Sequence, residues 1–509
     1  MSAPLTPGSP VPPPQQPQPP PELPRNLPQE LPREVTGSLP VGEEWVPTAR
    51  CAPVRFPYDG SDFAVAPVGD EALAERAADH AAGLRRQVAK LPTRVRRRVL
   101  AGVAAALAEV SSGMEDLLVL ETGKPRADCR TEVVRAVATW EAAADEVSHV
   151  HGETVALDGL PSGDGMTGFW TRRPVGVVVG VAGFNYPMML ASHKIAPALA
   201  AGCPVIVKPA PQTPLATLWL VALVREQLTA AGAPAGAVQT VTGDAGVGRA
   251  LTTHPDVAAV SFTGSAEIGH RIAREAAPRK VVLELGSNAA VVVAADADLD
   301  AAADAVVRGG LYASGQACIS VQRVIAVEEV AGELERKLTE RLPRVVVGDP
   351  RDPDTTVAPL IDEASTQRVC SWIDRARAAG ARLVHGGGRS GACITPTLLA
   401  GVPDGEPAWD EEIFGPVMCL RSVPDLEAAY AAVNASRYGL HAAVYTRDLG
   451  TAFDAVEELD VGGVVVNEVP GYRCDIAPYG GVKDSGVGRE GPRFAIEELT
   501  VTRMAVFRR

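Results

Sequence analysis

The sequence predicts an α/β protein of two packed domains with a cleft between them, and three observations predict it. Apolar stretches of strand length alternate with helix-length stretches from about residue 175 to 285. A second alternation of the same kind runs from about residue 289 to 470. At 509 residues, with 46% hydrophobic and 22% charged residues, the chain has the length and composition for two or three globular units. Strands separated by helices of this length are βαβ units, which assemble into parallel sheets.

Each element follows in order. Residues 1 to about 40 are dominated by Pro, which propagates neither helix nor ladder, so a disordered tail of polyproline II character is expected. Pro12-Pro13-Pro14 and Pro19-Pro20-Pro21 match ligands of SH3-like grooves, although most such tails are passive extensions. From Glu71 to about Val110 the pattern is Ala-rich and helical, and a second helix follows Lys124-Pro125 toward Ala144. Residues 151–172 read as a polar hairpin. Strands are then expected at 175–181, 205–207, 238–241, 257–262 and 281–285, with helices at 192–201, 215–231, to about 252, and 266–276. The second series begins with strands at 290–293 and 323–327 and helices at 301–312 and 332–342. No internal repeat is visible.

A net charge of -14 argues against a nucleic-acid or anionic-membrane surface, which needs clustered Lys and Arg. No stretch reaches the roughly 20 apolar residues of a membrane span, and the start lacks the pattern of a signal peptide, so a cytoplasmic location is expected. Eight Cys and eight His show no CxxC, HxxxH or HExxH spacing, and no metal is expected. Reduced thiols that serve mostly as small apolar packing are the ordinary reading of such cysteines.

One cysteine stands apart. Cys318 lies in Ser314-Gly315-Gln316-Ala317-Cys318, downstream of Glu284 in Val281-Val282-Leu283-Glu284-Leu285-Gly286 and of Asn185 in Gly183-Phe184-Asn185-Tyr186-Pro187. A thiol nucleophile, a candidate base and an amide donor are what oxidation of an aldehyde through a thioester requires. Phe262-Thr263-Gly264-Ser265 puts glycine and a hydroxyl where a strand gives way to a helix, a place suited to a pyrophosphate. Gly243-Asp244-Ala245-Gly246-Val247-Gly248 is a second such turn without the GxGxxG pattern. Lys208 follows a strand and offers a positive charge to a cofactor hydroxyl or phosphate. Taken singly, a buried Cys is usually inert, a Glu after a strand is usually a surface group, and a Lys is usually solvated.

From about residue 45 to its end the chain resembles the aldehyde dehydrogenase superfamily. The matching stretches are those around Asn185, Glu284 and Cys318, with Glu121-Thr122-Gly123-Lys124-Pro125, Val207-Lys208-Pro209-Ala210 and Phe262-Thr263-Gly264-Ser265. Glu411-Glu412-Ile413-Phe414-Gly415-Pro416 and Lys483-Asp484-Ser485-Gly486 complete the set. The resemblance implies the aldehyde dehydrogenase fold, with a Rossmann-like cofactor domain, an α/β catalytic domain and a small oligomerisation arm. Its boundaries here are 41–286 for the cofactor domain, with the 151–172 hairpin as part of the arm. The catalytic domain is 287–476, and 477–509 is a return segment and oligomerisation strand. The resemblance further implies NAD or NADP as cofactor and a homodimer or homotetramer as assembly. Cys318 attacks the aldehyde, the Asn185 amide and the Cys318 N–H hold the oxyanion, and Glu284 activates the water that releases the acid. Lys208 and Glu412 hold the two riboses, Ser265 contacts the pyrophosphate and Phe414 packs near the nicotinamide. Gly243, Gly264 and Gly286 complete the cofactor-binding positions.

The chain departs from the family pattern in ways that bear on specificity. NAD-preferring relatives commonly carry a Glu at the position of Pro211, so the choice between NAD and NADP stays open. Tyr186, Arg135 and Arg473 resemble anion-binding positions of the branch containing lactaldehyde, phosphonoacetaldehyde and non-phosphorylating glyceraldehyde-3-phosphate dehydrogenases. Ala317 replaces the Arg that phosphate-using members place before the catalytic Cys, which disfavours a doubly charged substrate. A short hydroxylated or singly anionic aldehyde is the expected substrate, with an aromatic or longer aliphatic aldehyde as the alternative. Arg135 and Arg473 in ordinary ion pairs is the competing reading of those residues. Glu284 favours hydrolysis over acyl transfer to coenzyme A, and a retired binding or structural protein on the same fold is the alternative of another class.

Overall fold

The computed structural model describes Pro28 and residues 31–508, so most of the proline-rich stretch and its two triple-proline motifs lie outside the described residues. The described end of that stretch is folded, from before residue 41. Ser38–Val41 pairs with Glu44–Pro47, and Val35 and Leu39 are fully buried in the main core. Apolar side chains, rather than the prolines, decide the structure there.

The Ala-rich stretch divides into two helices, Glu71–Ala89 and Thr93–Glu109, with Pro92 between them unable to continue the first ladder. A third helix, Ser111–Thr122, was not expected from Ser111-Ser112-Gly113, and it stops at Gly123 in the left-handed region with φ 68°. Glu121, at its end, accepts hydrogen bonds from Leu215 N and Ala216 N, so this carboxylate caps the helix Leu215–Ala230. The helix Arg126–Glu146 follows.

The first sheet has six strands in the spatial order Gly486–Val487, Lys280–Glu284, Val257–Thr263, Val177–Val181, Val205–Lys208, Val238–Thr240. All run parallel except Gly486–Val487, which pairs antiparallel with Lys280–Glu284. The first strand in the chain lies in the middle and later ones are added on both sides. The order therefore reverses between Val177–Val181 and Val257–Thr263, and ligands of open α/β sheets bind in the crevice such a reversal opens. The helix Pro187–Ala201 begins earlier than the sequence reading placed it, because Pro187 occupies the first helical turn, where its missing N–H costs nothing.

The second sheet has seven strands, ordered Arg382–His385, Thr397–Ala400, Val417–Val423, Arg323–Val327, Ala290–Val293, His441–Tyr445, Gly463–Val466. Only Arg382–His385 runs antiparallel. Outside both, Thr500–Arg508 pairs with Met166–Pro174, which pairs with Thr154–Val155 to form an antiparallel arm. Val501, Met504, Val506 and Phe507 of this arm are exposed. Among the described residues no helix is long and apolar enough to cross a membrane.

Candidate active site

The three reactive side chains arise at ends of regular elements from both sheets. Asn185 lies between the strand Val177–Val181 and the helix Pro187–Ala201, and Glu284 is the last residue of Lys280–Glu284. Cys318 follows the turn Tyr312–Gly315 and precedes the strand Arg323–Val327. That turn is left-handed at three successive residues, with φ of 47° at Ala313, 59° at Ser314 and 80° at Gly315. A Cβ on Gly315 would lie 2.0 Å from Gly415 O, so glycine is required there. For Ala313 and Ser314 this conformation costs on the order of 1–3 kcal/mol each, which the surroundings must hold. They do so with hydrogen bonds from Ala313 N to Asp128 Oδ2 at 3.1 Å, from Ala358 N to Ser314 Oγ at 2.9 Å and from Ile361 N to Gln316 Oε1 at 2.9 Å. Asn185 Nδ2 donates to Gln316 O at 2.8 Å, which brings the amide against the segment leading to Cys318.

The surroundings set the proton affinities. Burial pushes the Cys318 thiol up to about 12, with Glu412 and Glu284 adding to the rise and Tyr479 and Arg473 opposing it. Glu284 is held well above the usual carboxylate range, first by burial and then by the negative charge of Glu490. Both Glu284 carboxyl oxygens are buried without a hydrogen-bond partner among the described residues. Once ionised, a buried carboxylate in that condition binds a proton tightly, which suits it to accept one from a group that enters beside it. Glu490 goes the other way: burial alone would raise it, but Lys194 at 3.3 Å, His193 at 3.1 Å and Arg473 at 3.4 Å hold it well below the usual range.

The candidate specificity residues flank this cluster. Arg135 forms a two-pronged ion pair with Asp475, at 2.8 and 3.1 Å, and Arg473 approaches the same carboxylate at 3.5 Å. Both arginines thus carry the ion pairs of the competing reading, and they converge on one acid beside the reactive cluster. The Tyr186 ring lies under Lys124 Nζ at 3.8 Å. Lys124 is ion-paired with Glu132, whose other oxygen accepts from Met188 N and Met189 N at 3.0 and 3.1 Å. The buried pair therefore anchors the start of the helix that follows Asn185.

Of the cofactor candidates, Lys208 lines a cavity at the first sheet. This cavity, of about 440 Å³, is walled by Val181, Phe262, Ile268 and Ile272 and edged by Lys208, Asp244, Gly246, Gly248, Arg249 and Arg271. Apolar walls with a few polar groups at one rim fit an adenine and its ribose. Among the described residues the buried Lys208 ammonium donates to the neighbouring Pro209 carbonyl at 3.4 Å, and burial lowers it to about 8 against the opposing charge of Asp244. Gly243 lies behind this rim, where a Cβ would strike Val247 at 2.6 Å. Ser265 is exposed at the start of the helix Ala266–Ala276 and makes no capping hydrogen bond, while Gly264 packs against the Phe262 ring. Glu412 is half-buried, accepts from Ser287 N at 3.0 Å and packs against Gly286. Phe414, at φ 52°, meets Phe184 edge-on at 5.8 Å.

Sequence reasoning missed Asp128, Lys124, Glu132, Asp244, Tyr479, His193, Glu490 and Asp475. Asp244 lies within the Gly243–Gly248 turn and Lys124 within the Glu121–Pro125 motif, and Tyr479 and Glu490 flank the Lys483-Asp484-Ser485-Gly486 motif, but nothing in their spacing marks their contacts. A separate cavity of about 470 Å³ against the arm, lined by Glu146, Trp170, Arg172 and Arg493 among others, contains none of the candidate residues. Asp79, His254 and Asp256 bring ligand-type atoms within 4.8 Å of one another elsewhere, in a partly exposed group of a kind common without an ion.

Comparison with known proteins gives this geometry its context. The model of the aldehyde dehydrogenase family matches residues 45–505. The 3-sulfolactaldehyde dehydrogenase of Priestia aryabhattai is 40% identical over 412 residues, 81% of this chain and 86% of that protein. The crystal structure of aldehyde dehydrogenase 21 from Physcomitrella patens, in complex with the reaction product succinate, superposes with a TM-score of 0.90. It is 34% identical and covers 93% of this chain and 98% of its own. Glyceraldehyde-3-phosphate dehydrogenase GapN from Methanocaldococcus jannaschii, complexed with NADP, superposes with a TM-score of 0.86 at 32% identity, over 90% of this chain and 99% of its own. The chain belongs to the aldehyde dehydrogenase family, and it is an oxidoreductase that acts on aldehydes with NAD or NADP.

Proposed function

We propose that this aldehyde dehydrogenase oxidises a short aldehyde bearing a hydroxyl or a single negative charge to its carboxylic acid through a thioester on Cys318. The observation that carries the reading is the Asn185 amide bonded to the segment leading to Cys318, with the Glu284 charge acting on the thiol and both Glu284 oxygens buried and without a hydrogen-bond partner among the described residues. The Cys318 sulfur attacks the carbonyl carbon, and the Asn185 amide and the Cys318 backbone N–H hold the resulting oxyanion. NAD or NADP, when bound, supplies the hydride acceptor that turns this adduct into a thioester. Glu284 then takes a proton from water, which attacks the thioester carbonyl and releases the acid and the thiol. Lys208 and Glu412 are assigned to the two riboses, Ser265 with Gly243, Gly264 and Gly286 to the pyrophosphate region, and Phe414 to the nicotinamide. Pro211 removes one carboxylate that would repel a 2'-phosphate, and the cavity is bordered by Arg271 and by Arg249 paired with Glu275 at 3.3 Å as well as by Asp244, so NAD and NADP are both proposed.

The charge beside the site supports the substrate class. Arg135 and Arg473 place two cations beside the site, both engaged by the single carboxylate of Asp475, which suits an aldehyde carrying negative charge. The relatives named for 3-sulfolactaldehyde and lactaldehyde, and the neighbour solved with succinate, support the same class. The hairpin at 151–172 and the strand Thr500–Arg508 form the arm of a homo-oligomer, dimer or tetramer, to which the exposed Val501, Met504, Val506 and Phe507 lend apolar surface. The cofactor domain is 41–286, the catalytic domain 287–476 and the return segment 477–509.

The test is reduction of NAD and NADP over a panel of lactaldehyde, 3-sulfolactaldehyde, succinic semialdehyde, glyceraldehyde 3-phosphate and benzaldehyde, beside Cys318→Ala. The reading expects the highest kcat/KM on one of the first three and no turnover by the variant. Preference for benzaldehyde or the phosphate ester would overturn the substrate class, and turnover by the variant would overturn the mechanism.

A further inference from the structure

Among the described residues the sulfur of Cys318 has one side-chain hydrogen-bond partner, and it is a residue to which the mechanism above gives no task. The phenol oxygen of Tyr479 lies 3.5 Å from Cys318 Sγ. The ring that carries it is fixed from all sides. The Arg473 guanidinium covers one part at 3.9 Å, and the His441 imidazole packs against it with centroids 4.8 Å apart and a tilt of 60°. Tyr479 N donates to Glu490 O at 3.1 Å and Glu490 N donates back to Tyr479 O at 2.7 Å. Only 5% of the residue is exposed, so the phenol is held against the sulfur rather than swinging past it.

While Cys318 is a thiol, either atom can donate. Once the thiol has lost its proton, only the phenol can, because a thiolate is an acceptor alone. A buried sulfur anion needs such a donor: Glu284 and Glu412 face it with like charge, and Arg473 and Tyr479 are the groups that favour it. The Arg473 cation above the ring draws electron density from the phenol and makes its O–H a stronger donor. Burial keeps the phenol protonated, well above its ordinary range, so it stays a donor throughout the working pH range.

We propose that Tyr479 is a catalytic residue whose phenol donates a hydrogen bond to the Cys318 thiolate, raising the population of the nucleophile and aiming it. The thiol proton leaves to water in the cleft and the phenol keeps its own, so no second proton transfer is involved. As the sulfur bonds to the aldehyde carbon its charge passes to the carbonyl oxygen, and the phenol contact weakens in favour of the oxyanion donors. This assignment rests on Cys318 being the nucleophile.

The experiment measures alkylation of the full-length protein by iodoacetamide at pH 7 to 10, read by mass spectrometry on the Cys318 peptide so that exposed Cys51 and Cys474 do not contribute. A hydrogen bond to a charged group shifts a thiol by about one to two pH units. Part of that is offset because a more basic thiolate is intrinsically more reactive. Tyr479→Phe is therefore expected to slow Cys318 alkylation by about three- to tenfold at every pH, with NAD(P) affinity unchanged. Replacing Tyr479 by 3-fluorotyrosine, which keeps the ring and strengthens the donor, is expected to accelerate alkylation. Rates within twofold of wild type in both proteins would overturn the assignment while leaving Cys318 as nucleophile. Aldehyde turnover by Cys318→Ala would overturn both.

Discussion

Replacing Lys124 by Met isolates the clamp beneath the Asn185 turn. The side chains of Lys124 and Glu132 are 1% and 0% exposed, and among the described residues no other cation is paired with Glu132. Removing one member of a buried ion pair leaves an uncompensated charge and costs about 3–5 kcal/mol, whereas replacing both members with neutral groups is often nearly neutral. Lys124 also sits over the Tyr186 ring at 3.8 Å, a desolvated contact of about 2 kcal/mol that either variant loses. Lys124→Met is accordingly expected to lose about 3–5 kcal/mol. Lys124→Met with Glu132→Gln is expected to recover about 2 kcal/mol or more, since a Gln oxygen still accepts from Met188 N and Met189 N. Urea unfolding of the three proteins, followed by tryptophan fluorescence, reads both numbers. A single variant within about 0.5 kcal/mol of wild type, or a double variant no more stable than the single, would refute the clamp.

Three further predictions concern the chemistry. In the cofactor-free protein, Cys318 alkylation should climb about tenfold per pH unit from pH 7 to 10 without a plateau, because the reactive form is deprotonated and the thiol is pushed up to about 12; a plateau below pH 9 contradicts this. Asn185→Ala should lower kcat by on the order of 100-fold with little change in cofactor affinity, as steady-state kinetics and fluorescence titration will read. Lys208→Met should weaken binding of NAD and NADP in calorimetry without altering Cys318 alkylation, since the ammonium lines the cavity proposed for the cofactor, whose lining does not include the thiol.

The parts of the fold set by local pattern were legible in the chain itself. Val257–Thr263, Ala290–Val293 and Arg323–Val327 are short runs of apolar residues between turn signals, and they appear within a residue or so of their expected bounds. Ser111–Thr122 was missed because its Ser-Ser-Gly start reads as a turn and its apolar run Leu117–Leu120 lacks a clear helical stripe. Asn185, Glu284 and Cys318 were legible because each stands where a buried strand or turn ends in a polar residue of distinctive chemistry. Tyr479 and Glu490 were not, because their role is made by distant chain. Gly486–Val487 joins the first sheet beside Lys280–Glu284, and that pairing carries Tyr479 to Cys318 and Glu490 to His193 and Lys194. Contacts of such separation leave no periodicity to read. Arg135 and Arg473 could be singled out as cations, but Asp475, which both engage, has nothing in its neighbourhood to mark it.

The most direct test of the thioester account is to stop it before hydrolysis. Glu284→Gln protein would be mixed with excess aldehyde and NAD or NADP, quenched in acid, digested and weighed by mass spectrometry. The account predicts a burst of reduced cofactor close to one per active site, matched by an acyl group of the substrate's mass on the peptide containing Cys318. A burst with no adduct, or an adduct on another cysteine, would contradict it.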